Sequence, residues 1–286
     1  MSEQTIQRKA YTSDLTDAQW EILSPMLPVN TGRGRRNLHP LREIVSAILY
    51  INGNGCKWAD LPHDFPPFTS VSYHYCKWAK AGTWRRVNDA LRERVREQAG
   101  RDPHPSAGAI DSQTTKAAST GGFRGYDGGK NTNGRKKHTL VDTMGLLIVV
   151  LVTAACVSDA AGAMGLLRQV TVFDQPRLDL IAADRAYRRD DFDEFLAARG
   201  LRLEISSRPE GAVGFVPLRI RWVVERTYGW LGQCRRHAKD YERTYQSSEA
   251  QVYISSARLM LRRLTKTPPA PDSAPASTAW IPRLAA

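Results

Sequence analysis

Between residues 107 and 206 short apolar runs alternate with helical patterns, and this alternation limits the fold more than any other feature of the chain. Residues 147–155, LIVVLVTAA, and 178–184, LDLIAAD, are apolar almost throughout and read as buried strands. Further strands are predicted over 107–111, 137–143 and 201–206, with Gly145 and Leu146 turning a hairpin. Helices are predicted over 160–170, over 190–199 with Asp190 as cap and Gly200 as stop, and over 218–236. A last helix spans 248–264. An antiparallel meander followed by crossovers makes this an α/β protein, a mixed sheet with helices packed on its faces.

Ahead of it lies a helical region. Residues 1–16 are polar and read as loose, and a short helix over 17–27 has Thr16 or Asp17 as its cap. A basic loop, NTGRGRRNLHP, could touch a DNA backbone. Pro40 then opens a helix whose buried stripe is Leu41, Ile44, Val45, Ile48 and Leu49, with Gly53 near its end. Helices over 71–81 and 83–98 are split by Gly82, an arrangement that also suits a helix-turn-helix reader. Trp58, Tyr73, Tyr75, Trp78 and Trp84 are expected to pack a small helical core. Residues 99–106 are a breaker-rich linker, and the Pro/Ala/Ser-rich tail is expected to be disordered. The predicted division is a small all-α domain over 1–106, an α/β domain over 107–264 and a tail over 265–286.

The net charge of +12 favours a polyanion as partner, nucleic acid before membrane. Six Lys/Arg against one acid fall within 112–138, and eleven against four within 219–266. The four cysteines are scattered without zinc spacing and read as reduced thiols. No apolar run reaches membrane length and no signal core is present, so the expected location is cytoplasmic. Without a Walker A pattern, no nucleotide cofactor is expected.

Three acids stand out. On the helix over 218–236, Ile220, Val223, Val224, Thr227 and Leu231 form the buried stripe, while Glu225 shares the other side with Arg221, Gly229 and Gly232. Such an acid either pairs with Arg221 at i,i+4 or holds a ligand, with glycines leaving room for a large one. Asp111 and Asp184 each end a predicted strand, where ligand sites of α/β sheets gather. Asp111 could instead cap the following loop, and Asp184 could pair with Arg185 or Arg188; a divalent cation is the other natural partner. Asp142, Asp159, Asp190 and Asp193 are weaker candidates. Asp159 and Asp190 read as helix caps, and Asp142 sits at a strand-to-turn junction. His138 reads as a strand residue, and Trp222 and Trp230 as core or interface aromatics.

The segments LTDAQWEILSPMLP, CKWADLPHDFPPFTSVSYHYCKWAKAGTW, AIDSQTTK, GYDGGKNTNGRKKHTLVDTMGL, AADRAY and RWVVERTYGWLGQCRRHAKDYE stand in fixed order over residues 15 to about 262. Together they resemble the DDE-type bacterial insertion-sequence transposases of the insertion-sequence-five group. The resemblance implies an RNase H-like catalytic domain with Asp111, Asp184 and Glu225 as catalytic and metal-binding triad. It implies two Mg²⁺ ions, replaceable by Mn²⁺, about 4 Å apart at the scissile phosphate. Nicking of the terminal inverted repeats and attack of the freed 3′-hydroxyl on target DNA would follow. The implied partners are double-stranded DNA and a second copy of the chain in a synaptic homodimer, in a nucleoid-associated protein. Candidate DNA contacts are Lys116, Arg124, Lys130, Arg135, Lys136 and Lys137 in the glycine-rich basic stretch, and Arg221, Arg226, Arg235 and Arg236 around Glu225.

Related transposases carry Tyr-x-x-Arg-x-x-x-Glu-x-x-x-x-x-x-Lys around the third acid. Arg221 and Glu225 match it, whereas Leu218 and Gly232 replace the Tyr and Lys. Arg235 or Arg236 would then hold the phosphate, and a hairpin intermediate needing that Tyr and Lys is not implied. Two other readings stay open: a non-catalytic DNA-binding relative, and an RNase H-like nuclease without strand transfer.

Overall fold

The structure, a computed structural model, describes residues 8–28, 38–119, 122–206 and 219–266. Most of the basic loop after residue 28 and nearly all of the Pro-rich tail lie outside the described residues.

Helix α1 (Asp17–Leu23) starts in a capping box: Thr16 accepts from the Gln19 N–H, and the Gln19 side chain accepts from the Thr16 N–H. Helix α2 (Leu41–Asn54) stops at Gly55, whose φ of 72° suits glycine, two residues beyond the Gly53 suggested by the sequence. Helices α3 (Phe68–Lys80) and α4 (Thr83–Gln98) meet at Gly82. Residues 8–16 are anchored, contrary to expectation. Arg8 pairs with Asp14 and Glu43, both at 2.7 Å, and Tyr11 stacks on Phe65.

The sheet has six strands: β1 (Ala107–Lys116), β2 (Gly125–Asp127), β3 (Thr132–Asp142), β4 (Leu147–Ala154), β5 (Leu180–Ala183) and β6 (Arg202–Ile205). Its order is β4-β3-β1-β5-β6, with β2 also on β3; β1, β3 and β4 are antiparallel, and β1, β5 and β6 parallel. The RNase H-like mixed sheet with flanking helices is therefore present. Helices α5 (Asp159–Leu167) and α6 (Asp190–Ala197) are the crossovers, and α7 (Arg219–Gly232) and α8 (Tyr245–Leu264) follow. The caps differ from expectation: Ser158 caps α5 and Arg189 occupies the cap position of α6, placing Asp159 and Asp190 in first turns.

The basic stretch between the predicted strands 107–111 and 137–143 is itself partly strand. β1 runs on to Lys116 and pairs with β3 as far as Gly134, and β2 adds to the same hairpin. A Cβ on Gly134 would lie 2.0 Å from Thr115 O, so only glycine permits this approach.

The edge of β4 is covered by helices. Val150 N–H donates to Tyr253 Oη at 3.3 Å, Val152 N–H donates to Glu249 at 2.9 Å, and Asn88 donates to Leu147 O at 2.9 Å. Helix α4 thus lies against α8 and β4 and buries Trp84, Val87, Leu91, Arg92, Val95 and Arg96. That burial leaves Arg86, Arg94, Glu97 and Gln98 exposed on the helix. One hydrophobic cluster joins α1–α4, one sheet face and α8; a second fills the space under α5 and α6. The N-terminal helices therefore share their core with the sheet. Among the described residues no helix is long and apolar enough to cross a membrane.

Candidate active site

Asp111 and Asp184 come together because β1 and β5 are parallel neighbours. Ala109 pairs with Ala182, and each acid lies two residues further on. Asp184 follows the end of β5 and caps a short 3-10 turn, accepting from Ala186 N–H at 2.9 Å. Asp111 is inside β1 rather than at its end, because pairing with β3 continues past it; pairing with β5 stops at Ala109. One oxygen of Asp111 accepts from Ser112 N–H at 2.7 Å. Both acids are half-buried and line one small cavity, shared with Ser206 and Val224.

Val224 brings Glu225 to this place. It is the buried residue before Glu225, so α7 walls the cavity holding the two aspartates, and Glu225 faces outward beside it. The helix is held in three places. Tyr228 Oη donates to Asp111 O at 2.9 Å, Thr227 Oγ1 donates to Gly145 O at 2.8 Å, and Arg226 donates to Met144 O at 3.0 Å. Burial and the nearby Asp111 raise the Tyr228 hydroxyl well above its usual range, so it stays a donor. Gly229 and Gly232 are exposed on α7, leaving open surface near Glu225. Sequence reasoning passed over Tyr228, although it lies three residues from Glu225.

Among the described residues no three of His, Cys, Asp and Glu are close enough to hold a metal ion. Two carboxylates on neighbouring strand ends do suit a hard cation that takes one or two carboxylates and adds water and phosphate oxygens. Two of the weaker acids are engaged by other side chains. Asp142 is buried and pairs with Arg96; Asp159 bonds Ser112 and Lys136. His138 is a buried strand residue, its imidazole pushed down to about 4 by desolvation.

The expected DNA contacts divide. Lys116, Arg124, Lys130 and Arg235 are exposed. Arg135, Lys136, Lys137 and Arg236 are buried, which corrects the expectation that they face DNA. Arg135 pairs with Asp240 at 3.2 Å, Arg236 with Glu242 at 2.7 Å and Lys136 with Asp159 at 2.9 Å. Lys137 lies 3.3 Å from His237, and desolvation lowers its pKa. The cause is position: residues 135–138 are mid-strand in β3, between β1 and β4, where α5 and α7 cover the faces. Arg226 is half-buried, its guanidinium 4.5 Å and 4.6 Å from the rings of Trp222 and Trp230. The side chain of Arg221 lies outside the described residues.

Comparison with known families agrees with this architecture. Residues 15–88, the stretch of α1 to the first turns of α4, match a family described as "Putative transposase of IS4/5 family". No match was found among curated proteins. Residues 102–261, which hold the sheet, both strand aspartates and α7, match the family described as "Transposase DDE domain". That match takes in more than half of the 286 residues, and the chain belongs to the DDE transposase family.

Proposed function

We propose that this transposase nicks the terminal inverted repeats of its own element and joins the freed 3′-hydroxyls to target DNA. Asp111, Asp184 and Glu225 are the carboxylates that do so. The observation that carries this reading is the single cavity lined by Asp111, Asp184 and Val224, with Glu225 next to it on an open helix face. Mg²⁺, with Mn²⁺ as substitute, would supply Lewis-acid stabilisation of the oxygens that attack and leave the phosphorus. The chain's own residues do the positioning. β1 and β5 fix the spacing of the two aspartates, Tyr228 ties α7 to the backbone of Asp111, and the glycines leave room for a duplex. Lys116, Arg124, Lys130 and Arg235 hold the DNA backbone by neutralising phosphates. Joining two ends calls for two copies of the chain in one complex.

The test uses labelled duplexes from the DNA on either side of the gene, incubated with purified protein with and without Mg²⁺. Nicks at the element ends that require the metal are expected. Salt-sensitive binding with no metal-dependent product would instead favour a DNA-binding protein without catalysis.

A further inference from the structure

Helix α3 divides sharply into two faces. Val71, Tyr75 and Trp78 are buried, whereas Phe68, Thr69, Tyr73, Cys76, Lys77 and Lys80 are exposed. Thr69, Tyr73, Cys76, Lys77 and Lys80 recur at i, i+4, i+7, i+8 and i+11, a single stripe along the helix. Tyr73 is 61% exposed and Phe68 41%, large apolar surface that the core does not use. The thirteen residues of α3 include no acid. The nearest acids in sequence are engaged: Asp64 accepts from Tyr11 Oη at 3.0 Å, and Asp60 lies 4.0 Å from Lys57.

A cationic path links this stripe to the catalytic strands. β1 runs from Asp111 to the exposed Lys116, whose carbonyl accepts from Asp240 N–H at 2.8 Å. In the same returning segment the exposed Arg235 packs on Gly55, where an added Cβ would come within 3.1 Å of it. Lys57 follows, its side chain 88% exposed, and next to it Trp58 packs on Tyr75 of α3 with ring centroids 4.9 Å apart. Helix α6, by contrast, carries exposed Asp190, Asp191 and Asp193 in its first turn.

We propose that α3, and not α4, enters the major groove of the terminal repeat, with Thr69 and Tyr73 meeting base edges and Lys77 and Lys80 the flanking phosphates. This rests on the proposed transposase function and names its specificity element. At about 20 Å long, α3 fits a groove that admits one helix. Lys57, Arg235 and Lys116 carry the duplex backbone from the helix toward Asp111.

The experiment measures fluorescence anisotropy of the full chain on two duplexes, one from the DNA bordering the gene and one of scrambled sequence, over a salt series. Tyr73→Ala should lose about tenfold in preference for the bordering duplex while scrambled binding stays constant. Lys77→Ala should lower the slope of log affinity against log salt by about 0.9 on both. Arg94→Ala, exposed on α4, should change the preference by less than twofold. Circular dichroism checks that each variant is folded. A folded Tyr73→Ala that keeps full preference overturns the assignment to α3, as does a wild-type protein that binds both duplexes equally. Neither result touches metal-dependent nicking, whose absence would instead sink the transposase chemistry.

Discussion

Asp142→Asn should weaken the whole structure, because one buried carboxylate joins three parts of it. Asp142 is 0% exposed. Its Oδ2 accepts from Arg96 of α4 at 2.5 Å, and its Oδ1 accepts from the N–H groups of Met144 and Leu146, both at 2.8 Å. The turn it shapes is the seat of α7, through the bonds of Arg226 to Met144 O and Thr227 to Gly145 O. Removing one partner of a buried pair costs about 3–5 kcal/mol. Asparagine keeps an acceptor for the turn, so the lower end, about 3 kcal/mol, is expected. Against a total of roughly 5–15 kcal/mol that is a large fraction. For a chain of this size it corresponds to a fall in Tm of about 6–12 °C. Thermal unfolding by circular dichroism and urea midpoints measure it, with Arg96→Met and the double variant completing a cycle. The double variant should be less destabilised than the sum of the singles by more than about 1 kcal/mol. A Tm within 2 °C of wild type, or strict additivity, would refute the reasoning.

Gly145→Ala should destabilise by about 1–3 kcal/mol, since φ is 78° and the added Cβ would sit 2.8 Å from Thr227 Oγ1; an unchanged urea midpoint would contradict this. Desolvation pushes the Glu249 carboxyl up from 4.5 to about 7 and the His138 imidazole down from 6.5 to about 4. Glu249 stabilises fully below pH 4.5, a contribution lost as pH rises through 7; His138 stabilises fully above 6.5, a contribution lost as pH falls toward 4. Each slope is up to about 1.4 kcal/mol per pH unit, and the two oppose between pH 4.5 and 6.5. Glu249→Gln removes one, so urea midpoints of that variant should fall steeply on acidification across this window, and a flat profile would contradict the account. Lys130→Ala should lower the salt slope of DNA binding by about 0.9 with stability unchanged, whereas Arg135→Gln, breaking a pair with Asp240, should lower Tm instead; the reverse pattern would mean that the burial assignment is wrong.

The difference between Lys130 and Arg135 shows where the sequence was legible. Apolar runs such as LIVVLVTAA announce themselves because both faces are covered, and β4 and β5 lie where they were expected to within a few residues. Strand β3 opens with TNGRK, polar residues ahead of the strand predicted from Lys137, and its pairing is visible only when Asp240, Asp159 and His237 are brought up from distant sequence to meet it. Asp111 and Asp184 could be picked out as acids at strand ends, but their adjacency depends on β1 and β5 being neighbours across 73 residues of chain, a matter of topology. Glu225 was legible from the stripe on α7. Tyr228, which ties that stripe to Asp111, has a buried polar role that helical periodicity does not reveal. Helix α4 shows the same limit: Arg92 and Arg96, two of its several arginines, are buried against β4 and Asp142, which nothing local in the sequence marks.

The central claim is that Asp111, Asp184 and Glu225 act as one catalytic unit in DNA joining. The direct measurement incubates labelled flanking duplexes and a plasmid target with Mg²⁺ and either wild type, Asp111→Asn, Asp184→Asn, Glu225→Gln or the double aspartate variant. Wild type should give end-specific nicks and joined products. Each single variant, folded and binding DNA, should lose both, and the double should be no worse than the worse single, as for groups that act together. Joined products at wild-type yield from Asp184→Asn would contradict the account.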